Sequence, residues 1–191
     1  MKDWKFGYIS SNEHSGGLIT AWNQEFEEIQ EEKHSTVLKT VLKKKASRIS
    51  FAMYNVYGPY QDRKGFWEAF FNSIMMETRN VLIGGDLNLT LSEKENWGIS
   101  ARRDDLSSYF ANLFESMELV DIQLLKLMPT WRNNKSGDQA ISKRLDRFML
   151  SENLLSGSLI IRTWVEVGGL SDHLPVLLQI QNPQIKPAPP F

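Results

Sequence analysis

Three aliphatic residues, Val81-Leu82-Ile83, run straight into Gly84-Gly85-Asp86, and this short run constrains the fold more than any other part of the chain. A strand that is apolar on both faces has to be covered on both faces, which predicts a sheet with layers packed on either side. Around it, residues 37–42 and 49–56 read as strands, with Lys43, Lys44 and Lys45 at the turn between them. Residues 64–76 carry Phe66, Trp67, Phe70, Phe71 and Ile74 at helical spacing, with Asp62 as the expected N-cap. Residues 106–117 repeat the helical pattern through Leu106, Tyr109, Phe110, Leu113 and Phe114. Pro129-Thr130-Trp131 and residues 144–150 read as two paired strands, with a polar loop at 133–138. Residues 153–156 suit a short helix, and 160–167 and 176–181 suit two last strands. The acidic stretch 25–32 reads as a solvated face. Strands and helices mix without strict alternation, so the class is α/β or α+β layers around a sheet and not a helical bundle.

A chain of 191 residues fits one domain, and 41% hydrophobic content is enough for a real core. The chain has no cysteine, which excludes disulfides, thiolate zinc sites and a cysteine nucleophile. The formal net charge is −1, so a nucleic-acid partner would have to meet a local patch. No apolar run approaches the roughly 20 residues that span a bilayer, so no membrane partner is expected. The opening Met-Lys-Asp-Trp-Lys-Phe-Gly is not a signal peptide. The expected location is nuclear or cytoplasmic. Residues 1–181 read as one domain, and the proline-rich 182–191 as a linker leaving it.

Three segments carry candidate chemistry. In Gly84-Gly85-Asp86-Leu87-Asn88, Asp86 and Asn88 are two residues apart, so on an extended segment they point the same way. A carboxylate beside a carboxamide can orient a water and take its proton; an Asx-turn ending the strand is the alternative. In Gly168-Gly169-Leu170-Ser171-Asp172-His173-Leu174-Pro175, Asp172 and His173 sit where a loop enters the last strand, either as catalytic groups or as a surface pair. In Arg144-Leu145-Asp146-Arg147-Phe148, alternation puts Arg144 and Asp146 on one face with Phe148, and Leu145 and Arg147 on the other. Asp146 there needs a partner, either Arg144 or His173. Tyr57, before Gly58-Pro59, can donate its hydroxyl to a phosphate or serve the core. Trp131 reads as core or a wall of the site. Basic residues cluster at Lys43, Lys44, Lys45 and Arg48, and at Arg132, Lys135, Lys143, Arg144 and Arg147; such clusters meet phosphate backbones or simply face water.

Taken in order, Asn-Val-Tyr-Gly-Pro, Gly-Gly-Asp-Leu-Asn, Pro-Thr-Trp, Arg-Leu-Asp-Arg-Phe and Leu-Ser-Asp-His-Leu-Pro resemble the motif series of the endonuclease/exonuclease/phosphatase superfamily. The wording is most similar to the apurinic/apyrimidinic-endonuclease-like domain of plant LINE-type non-LTR retrotransposons. Ser15-Gly16-Gly17-Leu18 through Trp22 is similar to an upstream strand of these nucleases. The resemblance implies two packed β-sheets flanked by helices, a four-layer α/β/β/α sandwich with the site at one end. It implies that Asp86 and Asn88 activate and orient the attacking water, that His173 contacts the scissile phosphate, and that Asp146 orients His173. Tyr57 would contact the phosphate, Asn55, Trp131 and Arg144 would bind substrate, and Asp172 would lie near the metal. Mg²⁺ is the implied cofactor and DNA the implied partner. The implied reaction is phosphodiester hydrolysis leaving a 3′-hydroxyl, in a monomeric domain originally fused to a downstream reverse transcriptase.

One departure qualifies this expectation. The family's first strand and its metal-binding glutamate precede the Ser-Gly-Gly strand, and Glu13 is poorly placed to be that glutamate. The sequence therefore predicts a sandwich missing N-terminal strand(s) and its main metal ligand, with weak nuclease activity or none. The alternatives are a phosphatase of the same superfamily, acting on a phosphoinositide or other small phosphoester, and a non-catalytic nucleic-acid-binding remnant.

Overall fold

A computed structural model describes residues 3–11, 17–74, 80–156, 159–168 and 171–181. Glu13, Ser15-Gly16, the end of the expected helix at 75–76, Gly169-Leu170 and the expected linker 182–191 lie outside them.

The chain opens with a hairpin of β1 (Lys5–Ile9) and β2 (Leu18–Trp22), followed by β3 (Phe26–His34), β4 (Val37–Lys44) and β5 (Ser50–Val56). Helix α1 (Arg63–Ala69) continues as a π-helical turn over Phe70–Ile74 and leads into β6 (Val81–Asp86) and the short β7 (Asn96–Trp97). Then come α2 (Ser107–Ser116), β8 (Leu119–Asp121), β9 (Trp131–Arg132), β10 (Ser142–Lys143), β11 (Asp146–Ser151), the single-turn α3 (Glu152–Leu155), β12 (Ile160–Val165) and β13 (Val176–Gln181).

The main sheet has six strands in the order β3-β4-β5-β6-β11-β8. All its pairs are antiparallel except β5 with β6. A parallel pair needs a crossover, and α1 supplies it. Alternation along the strands sends Ala52, Tyr54, Val56, Val81, Ile83 and Met149 to one face, where α1 and α2 cover them with Trp67, Phe70, Phe71, Phe110 and Phe114. Trp67 and Phe114 meet edge to face at 5.1 Å, as do Tyr54 and Phe70 at 5.4 Å. On the opposite face, the β1–β2 hairpin packs on β4 and β5, and the β12–β13 hairpin packs beside β11. A cleft of about 290 Å³, lined by Ala21, Asn55, Leu82, Gly84 and Phe148 among others, opens on this face next to β2. The result is the expected α/β class, packed sheets flanked by helices.

Several local expectations shift. The acidic stretch 25–32 is indeed solvated, but it lies mostly in β3, an edge strand of the main sheet. Lys43 and Lys44 belong to β4, and Lys43 pairs in register with Glu27, so part of the first basic cluster faces acid across the sheet. Asp62 does precede α1, yet it sits in the left-handed region (φ 46°) and makes no side-chain cap bond. Pro129-Thr130-Trp131 does not pair with the whole of 144–150. Trp131 and Arg132 pair with Lys143 and Ser142, after which the chain crosses into the main sheet as β11.

Candidate active site

Asp86 ends β6 and Asp146 begins β11, and the antiparallel register sets the two directly opposite each other. Residues directly opposite in a sheet share a face, and two carboxylates so placed repel. The chain beyond Asp86 is fixed by a second backbone, that of Tyr57-Gly58-Pro59. The Gly58 N–H donates to Asp86 O at 2.7 Å, and the Asn88 amide nitrogen donates to Gly58 O at 2.6 Å. A Cβ on Gly58 would lie 2.2 Å from Leu87 O, so only glycine allows the approach. Gly85 is fixed similarly: its φ is +136°, and a Cβ there would meet Val56 O at 2.2 Å.

Asn88 differs from the extended geometry read from its spacing. It is buried, its φ is 50°, and its backbone N–H donates to Asp86 Oδ1 at 3.0 Å. The Asx-turn, the alternative reading of this segment, is therefore present: the Asn88 backbone closes it on the Asp86 carboxylate, and the Asn88 amide nitrogen is turned to Gly58. Asparagine tolerates the left-handed region better than most residues.

His173 arrives from the far end of the chain. Residues 130–132 align with 172–174: Leu174 N–H donates to Thr130 O at 2.7 Å, and Arg132 N–H to Asp172 O at 3.1 Å. This places His173 Nδ1 2.9 Å from Asp146 Oδ2 and His173 Nε2 3.7 Å from Asp86 Oδ2. Asp146 therefore pairs with His173, not with Arg144. Trp131 donates its ring N–H to Asp172 Oδ2 at 2.9 Å, which fixes both side chains. Tyr57 is half-buried beside Tyr60, whose hydroxyl burial and the neighbouring Tyr57 push up to about 12. Thr130, quoted in the sequence only as part of Pro-Thr-Trp, is buried, and its hydroxyl accepts the N–H groups of both Leu145 and Asp146 at 3.0 Å.

The electrostatics follow from this crowding. Burial, and then the charge of Asp146, push the Asp86 carboxyl up to about 6. The hydrogen bond to Asp146 raises the His173 imidazole above its ordinary value against the opposing effect of burial. Asp86, Asp146 and His173 each offer an atom within 4.8 Å of the others, a cluster able to hold a metal ion. Asp86 Oδ2 is buried and accepts no hydrogen bond, leaving a carboxylate oxygen free for a cation. A hard divalent cation that takes one or two carboxylates and keeps its waters fits such a set.

Two expected substrate-binding residues are elsewhere. Arg144 is fully buried and forms ion pairs with Glu95 at 2.7 Å and Asp121 at 2.7 Å. Arg147 joins the same group, 3.0 Å from Glu95 Oε2 and 3.2 Å from Asp121 Oδ2. Both arginines therefore leave the second basic cluster. Arg144 precedes β11, so strand alternation does not apply to it and it turns to the side of Arg147. Asn55 spends its amide on β2, donating to Ile19 O at 3.0 Å. Glu95 and Asp121 were not singled out in the sequence, because each meets its arginines only across the fold. Beside the acid cluster, a cleft of about 350 Å³ runs from Asn88 past Trp131, Lys143 and Tyr60 to Arg102.

This fold, packed sheets flanked by helices with the acid cluster at the end of the main sheet, is shared with several solved structures. Among solved structures, the chain is similar to the endonuclease domain of TRAS1, a telomere-specific non-LTR retrotransposon, with TM-score 0.66, 14% identity, and 94% of this chain and 81% of that one covered. It is similar to the AP endonuclease LMAP from Leishmania major, with TM-score 0.70, 14% identity, and coverage of 95% and 71%. It is also similar to D. rerio TDP2, solved with a single-strand DNA product, with TM-score 0.69, 13% identity, and coverage of 95% and 78%. No protein-family model matches the sequence, and no curated protein matches it.

Proposed function

We propose that the chain is a metal-dependent phosphodiesterase, the DNA-nicking endonuclease domain of a LINE-type retroelement made together with a reverse transcriptase. The observation that carries this reading is the convergence of Asp86, Asp146 and His173, with Asn88 beside them, from segments far apart in sequence. The resemblance to the retrotransposon and AP endonuclease folds supports it.

The geometry supports a role for each residue. His173 Nδ1–H donates to Asp146, which fixes the tautomer and aims Nε2 toward the Asp86 side of the site. A protonated His173 can donate that Nε2–H to a phosphate oxygen. Asn88 has spent its amide nitrogen on Gly58 O, so its carbonyl oxygen remains to accept from the attacking water. Without a cation, Asp86 is pushed up to about 6 and can take the water's proton near neutral pH; a cation held on its free oxygen would lower that value. Asp86, with Asp172 close by, would hold Mg²⁺, which neutralises charge developing on the phosphate. Asp146 is committed to His173, so few free carboxylates remain for the ion, and the reading includes weak activity. The Trp131–Lys143–Arg102 cleft favours a strand of nucleic acid over a small phosphoester, because it combines aromatic faces with cations.

The test is relaxation of a supercoiled plasmid in about 10 mM Mg²⁺, with chelator and His173→Ala as controls. Slow nicking abolished by both is expected. Nicking indifferent to His173 would place the chemistry elsewhere. Metal-independent DNA binding without nicking would favour the non-catalytic remnant, and hydrolysis of small phosphomonoesters but not DNA would favour the phosphatase.

A further inference from the structure

The buried ion-pair network and the candidate active site share one loop. It leaves β6 after Asp86, carries Asn88 and ends at Glu95. Arg147 Nη2 donates to Leu89 O at 3.1 Å, and the Leu91 N–H donates to Glu95 Oε2 at 2.6 Å. The carbonyl of Glu95 accepts the Arg144 N–H at 3.0 Å. The loop is therefore gripped one residue beyond Asn88, again at Leu91, and at its end. Both arginines belong to the segment that also presents Asp146.

Asn88 needs such a frame. A non-glycine residue keeps a left-handed backbone only where its surroundings over-determine it. Stability alone is a weak reason to bury two arginines with two carboxylates, since apolar residues of the same volume often do as well. Charge-assisted bonds aimed at particular backbone atoms do what apolar packing cannot: they fix two segments in a single register.

We infer that Glu95 is a positioning residue. Through Arg147 and the backbone of Leu89 and Leu91, it holds Asn88 and Asp86 in register with Asp146. It touches neither substrate nor metal. Its meaning for catalysis rests on the nuclease reading; its effect on the loop does not.

Two variants test this in the full chain. Glu95→Gln keeps the shape and removes the charge. Arg147→Lys keeps the charge but loses the fork that reaches Glu95 and Leu89 O together. Backbone hydrogen exchange should quicken at Asn88 by about tenfold more than at Ile83, in the core of β6. Equal quickening at both, or none at Asn88, overturns the inference and assigns the network to the fold alone. In plasmid nicking, kcat should fall about 10-fold to 100-fold with KM nearly unchanged; a change confined to KM also overturns it. If wild-type chain does not nick, or His173→Ala nicks equally well, the nuclease reading fails, and exchange at Asn88 still decides whether Glu95 holds the loop. If Glu95→Gln does not fold, Arg147→Lys carries the same comparison.

Discussion

Two groups of charged side chains, one buried and one part-exposed, lie on either side of the segment that leads into β11, and they are built oppositely. On the helix side, Arg144 and Arg147 meet Glu95 and Asp121, two cations against two anions, all bonded to one another or to backbone. On the other side, Asp86 and Asp146 face each other with Asp172 nearby, and among the described residues His173 is what offsets them. Burial pushes the Glu95 carboxyl up, but Arg147 and Arg144 outweigh it and hold that carboxyl below its ordinary value. Asp86 goes the other way. A balanced group locks structure, whereas an unbalanced one awaits a cation or a proton. Adjacent residues of a single strand, Asp146 and Arg147, serve the two purposes.

The contrast breaks most sharply at Glu95. Glu95→Ala leaves two arginines short of an anion and should cost about 3–5 kcal/mol in denaturant unfolding. The pH dependence has a fixed sign: Glu95 stabilises the fold above its ordinary value of 4.5, and this is lost as pH falls through its depressed folded value. Next, His173→Ala should slow nicking at least about 100-fold, or about 2.7 kcal/mol, without a comparable loss of thermal stability. Third, Asp86→Asn should abolish nicking yet stabilise the fold by at most about 3 kcal/mol at neutral pH. Asp86 titrates near 3.8 unfolded and about 6 folded, so its cost is absent below the first value, grows between the two and is complete above the second. The gain from Asp86→Asn should therefore vanish in acid. The smallest effect is expected at the surface: Arg103→Ala breaks the exposed pair with Glu93, 2.7 Å apart, and should cost about 0.5 kcal/mol or less.

Much of the site was legible because its chemistry is written in short, contiguous runs. Gly84-Gly85-Asp86-Leu87-Asn88 encodes both the close backbone approach and the acid, and Asp172-His173-Leu174 encodes the residue that reaches Asp146. The ion-pair network was not legible, because Arg144 and Glu95 are 49 residues apart and local alternation cannot say which acid an arginine will find. Arg144 was therefore expected to bind substrate and Arg147 to join a basic patch. The edge strand β3 was missed as a strand for a different reason. Neither face of it is buried enough to leave the period-two signal that marks β4 and β5.

That edge has a consequence for how copies of the chain meet one another. β3 is the outermost strand on its side of the main sheet, and it carries Glu27, Glu28, Glu31 and Glu32 with an irregular step between Glu28 and Gln30. A second copy adding there would have to stack carboxylates at about 4.8 Å spacing against a kinked ladder. Fibre-like growth from this side is thus self-limiting near neutral pH.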